Sequence, residues 1–193
     1  MRTCLAAGVA VFALSGCATV GTVSKPVELP DSPASLRSWS LDGRIGAQAT
    51  DKAWQASLYW EHAPAQDRLR ISGPLSQGLV SIIVQKDLIY VNEGNGAETL
   101  SHDPDAWLRQ RLGFAVPLTS LRFWVLGIPD PDHSFAMTSA GEDVAGGFRQ
   151  AGWRIYPEQV DNVDGWLLPR KIRAEGPGVK LKILADTWSL NDR

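Results

Sequence analysis

The chain has 193 residues, with 19 Lys and Arg against 21 Asp and Glu, so its formal charge is −2. That length suits one domain with a short appendage. The near-neutral balance excludes a strongly basic nucleic-acid binder, and 44% hydrophobic against 21% charged residues excludes a disordered chain. Half of the sixteen aromatic residues are Trp, which calls for large buried or lining surfaces.

In chain order, residues 1–16 read as an exported leader. Arg2 supplies the positive start, and Leu5 to Leu14 form an apolar core broken only by Gly8. This core is about half the ~20 residues that a membrane-spanning helix needs, and it has the length of a signal-peptide core. Leu14-Ser15-Gly16-Cys17 resembles the bacterial lipobox, which implies cleavage before Cys17, an S-diacylglycerol on its thiol and an N-acyl chain. A plain leader with an incidental cysteine is the weaker alternative. Cys4 leaves with the leader, so an unpaired Cys17 is accounted for by lipidation. Three acyl chains anchor far more firmly than one. Ala18 stands where an inner-membrane retention signal would place aspartate, so the expected address is the outer membrane, facing the periplasm. Residues 17–35 follow as lipidated cysteine and tether. They carry Pro26, Pro30 and Pro33 without helical periodicity and reach about 55 Å when extended.

From residue 36 to 193 the pattern is mostly of period two. Trp39, Leu41, Gly43, Ile45, Ala47 and Ala49 share one face of a strand, and Trp54, Ala56, Leu58 and Trp60 share a face of the next. Leu69 and Ile71 alternate with Arg68 and Arg70. Leu79 to Gln85 is apolar on both faces, with Val80, Ile82 and Val84 on one side. Asp87 to Asn92 and Ala97 to Leu100 flank Gly94-Asn95-Gly96, a hairpin signal. Asp103 as N-cap, Pro104 at the first position and Gly113 as stop predict a helix over 105–112. A second helix is predicted over 118–126, stopped by Gly127 and Pro129. Strands resume at 135–139, 147–151, 153–157, 165–174 and 179–190.

The expected fold is therefore mainly β. Ten or eleven strands, mostly hairpin-linked, form a sheet that curls, with two short helices over its concave face. Alternation alone leaves open whether the inward Trp and Leu residues form ordinary core or line a partly filled apolar cavity.

No catalytic constellation stands out. His62, His102 and His133 are scattered, and no zinc-type spacing, nucleophile elbow or phosphate loop occurs. Asp103-Pro104-Asp105 and Asp130-Pro131-Asp132 read as helix-capping or turn aspartates rather than carboxylate pairs. The segment Gly73-Pro74-Leu75-Ser76-Gln77-Gly78 places one large apolar residue, Leu75, where a loop tip is ordinarily polar. Leu75 either folds back on the core or enters a membrane interface, which contributes about 2 kcal/mol if it is well buried.

The pieces resemble the LolB family of outer-membrane lipoproteins, which receive other lipoproteins and insert them into that membrane. They are the lipobox, Trp39 to Ile45, Trp54 to Trp60, Leu69 to Leu75, the block Val116 to Pro129, Gly152-Trp153 and Leu181 to Trp188. The Pro-Leu-x-x-Leu-x-x-Trp-x-x-Gly-x-Pro spacing from Pro117 to Pro129 is the most specific. The resemblance implies an unclosed antiparallel β-barrel, a helical lid and a hydrophobic cavity for acyl chains. It implies a monomer without enzymatic activity or cofactor, partnered by a LolA-like periplasmic carrier, acylated lipoprotein passengers and outer-membrane lipid. The membrane-delivery loop maps to Gly73, Pro74 and Leu75. Candidate cavity residues are Trp54, Leu58, Trp60, Leu69, Ile71, Val80, Ile82, Leu121 and Trp124, with Trp107 and Trp124 on the lid helices. The facing of each strand sets this group, since a one-residue slip swaps faces. A lipid-binding or scaffolding outer-membrane lipoprotein without passenger transfer is the alternative, and a hydrolase comes third.

Overall fold

The computed structural model describes residues 32–49, 52–73, 78–86, 88–138 and 146–190. The leader 1–16, Cys17, the tether up to residue 31, Pro74 and Leu75 lie outside the described residues. The described chain opens with a 3-10 turn, Pro33–Ser35, capped by Ser32.

Eleven strands form one antiparallel sheet: β1 (Trp39–Ala49), β2 (Ala53–Ala63), β3 (Gln66–Ser72), β4 (Val80–Gln85), β5 (Leu88–Asn92), β6 (Glu98–Ser101), β7 (Phe135–Met137), β8 (Phe148–Gln150), β9 (Trp153–Val163), β10 (Trp166–Gly176) and β11 (Val179–Leu190). Their order is β6-β5-β4-β3-β2-β1-β11-β10-β9-β8-β7. The first and last strands thus pair at the centre, and the chain meanders outward to β6 and returns inward from β7. The two outer edges do not pair with each other, so the sheet stays unclosed. The connection between those edges carries both helices, α1 (Pro104–Leu112) and α2 (Leu118–Trp124).

Period-two patterning produces the strands as expected. In β1 the buried positions are Trp39, Leu41, Gly43, Ile45 and Ala47, alternating with more exposed residues. Gly43 is required by the close approach of β11, because a Cβ there would lie 1.9 Å from the Leu184 carbonyl oxygen. The register slips at this point: Asp42 faces Thr187 while Gly43 faces Ala185, leaving Asp186 as the extra residue of a bulge. Asp186 turns outward and takes two hydrogen bonds from the Arg44 guanidinium, at 3.1 and 2.8 Å.

Two elements differ from expectation. The hairpin between β5 and β6 is a five-residue loop, with Gly94 and Gly96 both at positive φ, 73° and 87°. Asn92 and Asn95 side chains accept from the Gly94 and Ala97 amides inside it, so both asparagines act as turn formers. The strand expected to end at Pro157 continues as β9 to Val163. Its pairing with β8 extends only to Ile155, so beyond that point β9 is an edge among the described residues, where proline is tolerated. Pro169 in β10 lies where pairing with β11 has lapsed, since that register begins at Lys171. The Trp188 indole N–H donates to the Pro169 carbonyl there, at 3.0 Å.

The core lies on the concave face. Trp39 contacts Trp60 and Trp188 with ring centroids 5.5 Å apart in each pair. Asp67, itself buried, accepts from the Trp60 indole at 2.9 Å and contacts His62 Nδ1 at 2.8 Å. Gly43→Ala is expected to destabilise the domain by about 3 kcal/mol, the upper range for overpacking. A urea titration checks this, as a lower midpoint with an unchanged slope.

Candidate functional site

The helices over the concave face are fixed in different ways. Helix α1 begins at Asp103, whose carboxylate accepts from the Ala106 amide at 2.8 Å, and ends at Gly113 in the left-handed conformation, φ 83°. Helix α2 begins after Pro117, which offers no capping side chain. The cap comes from α1 instead, because Asp105 Oδ1 accepts from the Leu118 amide at 3.0 Å. Burial pushes the Asp105 carboxyl above its ordinary range, and that hydrogen bond only partly opposes the shift.

Helix α2 is also locked to the far edge of the sheet. The Trp124 indole donates to Gln150 Oε1 at 2.8 Å, and Gln150 Nε2 donates to the Asp130 and His133 carbonyls. The Ser120 hydroxyl donates to Asp130 Oδ2 at 2.7 Å, and the Asp132 amide donates to Oδ1. Asp103, Asp105 and Asp130 are therefore occupied as capping and turn residues. Among the described residues no group of three or more His, Cys, Asp or Glu is placed to hold a metal ion.

Between the helices and β1–β4 lies a cavity of about 520 Å³. Its sheet wall is Ile45, Trp54, Ala56, Leu69, Ile71, Val80, Ile82 and Leu181, and its helix wall is Trp107, Leu108, Phe114, Val116, Leu118 and Leu121. Lys52, Gln55 and Glu93 supply the polar part of the lining. Gly73 and Gly78 also line it, so both described ends of the loop that carries Leu75 meet the cavity at this end of the sheet. At roughly 30 Å³ per water-sized unit, the space takes about seventeen methylenes, or one long acyl chain.

Of the candidate residues, Trp54, Leu69, Ile71, Val80, Ile82 and Leu121 stand on this wall. Leu58, Trp60 and Trp124 do not, although all three are buried to within 1% of full exclusion. Leu58 and Trp60 share the inward face of β2 with Trp54, but they lie further along the strand, toward the Trp39 cluster. Trp124 is held by Gln150 toward β8. Alternation predicts which face a residue takes but not its depth along the sheet, and these three belong to packed core. Ile45 and Leu181 were missed as lining, though both sit on inward faces and the β1–β11 register alone would have placed them together with the wall. Phe114 and Val116 come from the link between the helices, where no periodic signal exists.

The family model described as outer membrane lipoprotein LolB matches residues 37–188, and the chain belongs to that family. The outer-membrane lipoprotein LolB of Pseudomonas fluorescens Pf0-1 is 26% identical, over 91% of this chain and 90% of that protein. The protein of the same name from Stutzerimonas stutzeri is 25% identical, over 91% and 89%. A LolA superfamily protein from Nitrosomonas europaea superposes with a TM-score of 0.51 at 12% identity, over 82% of this chain and 88% of that one. This last likeness shows the fold.

The Asp105 cap generates a pH prediction. A carboxyl whose folded pKa is raised contributes stability at low pH that is lost as pH rises through that value. Asp105→Asn keeps an oxygen acceptor for the Leu118 amide without the charge. The variant is expected to melt higher than wild type at pH 7, with the difference vanishing below the ordinary Asp range. Thermal melts across pH 3–8 check this.

Proposed function

We propose that this LolB-family chain is anchored in the outer membrane through Cys17, accepts acylated lipoproteins from a LolA-like periplasmic carrier and inserts them into that membrane. The observation that carries this reading is the apolar cavity between an unclosed sheet and two helices, with both described ends of the Leu75 loop in its lining. The reaction is a transfer of non-covalently held chains, and no bond is made or broken.

The energetics favour direct passage. Each methylene exposed to water costs about 0.8 kcal/mol, so one acyl chain in water costs on the order of 10 kcal/mol. Passage from one apolar pocket to another largely cancels that cost, and a modest affinity difference sets the direction. A cavity sized for one chain must widen for a passenger carrying three. Helix α2 is tied to β8 through Gln150 and Asp130, whereas α1 meets α2 through the Asp105–Leu118 hydrogen bond. The movable wall is therefore α1 with the 113–117 link, which together carry Trp107, Leu108, Phe114 and Val116.

Delivery needs the mouth to reach the bilayer. The tether joins the domain beside Trp39, while Lys52, Gly73 and Gly78 lie at the opposite ends of β1–β4. Eleven residues of strand span about 35 Å, within the roughly 43 Å that residues 18–31 can reach when extended. Leu75 would then enter the interface first, and the much larger apolar volume of the membrane favours release.

The test mixes a Cys17→Ala chain lacking its leader with a carrier loaded with a triacylated lipoprotein. Passenger is expected to move to it in about one-to-one amounts. Ile71→Glu, which puts a charge on the cavity wall, is expected to lower acceptance at least tenfold. Leu75→Glu is expected to accept normally and fail in delivery to vesicles. No acceptance by a folded domain would overturn the reading and leave a lipid-binding or scaffolding lipoprotein.

A further inference from the structure

A second hollow, of about 310 Å³, lies at the end of the sheet opposite the mouth. The β2–β3 hairpin, Lys86 of the turn after β4, and the first turns of α2 enclose it. Its polar wall includes Asp67, Lys86, Thr119 and Arg122, with Trp60 and Leu118 as apolar neighbours. Arg122 belongs equally to an adjoining hollow of about 270 Å³, formed by Pro33, Leu36 and Trp39. Its guanidinium lies over the Phe123 ring, 4.6 Å from the centroid. Its Nε is sealed from solvent and has no hydrogen-bond partner among the described residues.

An unpaired buried guanidinium N–H is costly, by about 1–3 kcal/mol, so Arg122, which has no acceptor for it among the described residues, is stabilised by an anion in either hollow that it borders. Asp67 offers no hydrogen bond to that N–H, and its Oδ1 is taken by Trp60 and His62. With Lys86 and Arg122 positive and Asp67 negative, the hollow carries a net charge of about +1, complementary to one phosphodiester. Its volume corresponds to about ten water-sized units, the scale of a glycerophosphoglycerol group. The Pro33–Leu36 segment, where the tether joins the domain, forms part of the neighbouring wall. The site thus lies where the anchored chain comes from the bilayer.

We infer that this hollow binds the phosphodiester of a membrane-lipid head group, with Arg122 as its central cation and Lys86 as the second. A domain held by this end presents its acyl cavity away from the membrane, toward the compartment from which passengers arrive. The tether then allows it to turn over. The inference goes beyond passenger transfer and does not depend on it.

The native lipidated chain in neutral detergent micelles is titrated with dihexanoyl-phosphatidylglycerol, with glycerophosphoglycerol alone, and with dihexanoylglycerol lacking phosphate. The readout is the Arg122 Nε–H resonance. Phosphatidylglycerol is expected to shift that signal, and dihexanoylglycerol is expected to leave it unmoved. A shift with the lipid alone assigns the head group in its membrane form. An equal shift with glycerophosphoglycerol supports the phosphodiester site and assigns a soluble ester as a further source. Arg122→Gln is expected to weaken binding about tenfold. Lys86→Gln, in an exposed turn that does not threaten the fold, is expected to weaken it about threefold. An Arg122 signal unmoved by either phosphodiester, or both variants binding as wild type does, would overturn the assignment.

Discussion

Pairing of β1 with β11 is the constraint from which the rest of the architecture follows. It joins residues as far apart as Trp39 and Leu190, and it puts both ends of the domain at the centre of the sheet. The free edges are consequently β6 and β7, in the middle of the sequence, and the helices fall in the link between them. The opening and the two helices over the concave face thus come from one topological choice. The approach is close enough that Gly43 admits no side chain. Loop-closure entropy must be met before this pairing forms, so it belongs to the slow part of folding.

The concave face is divided into a sealed end and an open end, and the tryptophans show how. Trp39, Trp60 and Trp188 pack together near the point where the tether enters. Trp60, Trp124 and Trp188 each give their indole N–H to a specific acceptor: Asp67, Gln150 and the Pro169 carbonyl. Burial without those acceptors would cost about 1–3 kcal/mol for each indole N–H. Trp54 and Trp107 lie instead at the cavity, partly buried. The same residue type therefore closes one end and lines the other, and the partner of the ring nitrogen marks the sealed end.

The convex face is held in water by charge. Arg154, Glu175, Arg173, Glu158 and Lys171 form a continuous cross-strand chain of ion pairs on β9 and β10. Partial burial raises the Glu158 carboxyl, but the hydrogen bonds from Lys171 and Arg173 outweigh it and hold the group below its ordinary range. Pairs this exposed contribute little stability each. Their consequence is that a one-residue register slip would turn charged side chains into the packed core beside Ile155 and Ile172, so the polarity of the two faces enforces the pairing.

Much of this was legible in the residues alone. Strict alternation located β1 and β11 to the residue, because one face of each is buried and the other wet, whereas β2 runs three residues past the expected Trp60. Asp103, Pro104 and Gly113 marked α1 because capping and left-handed geometry act locally. The block from Pro117 to Pro129 carried the family resemblance on the same helix-and-stop logic. What the tertiary structure alone decided is depth and partnership. Leu58 and Trp60 follow Trp54 on one face, yet only Trp54 meets the cavity, because the helices cover the face unevenly. Pro157 stays within a strand only because the pairing of β9 with β8 ends at Ile155. Asp105 caps a helix other than its own, and Arg122 lies between two hollows, through contacts made only once the sheet has curled. Local sequence dictates periodicity and termini, whereas cavity, cap and charge site depend on which distant surfaces the β1–β11 pairing brings together.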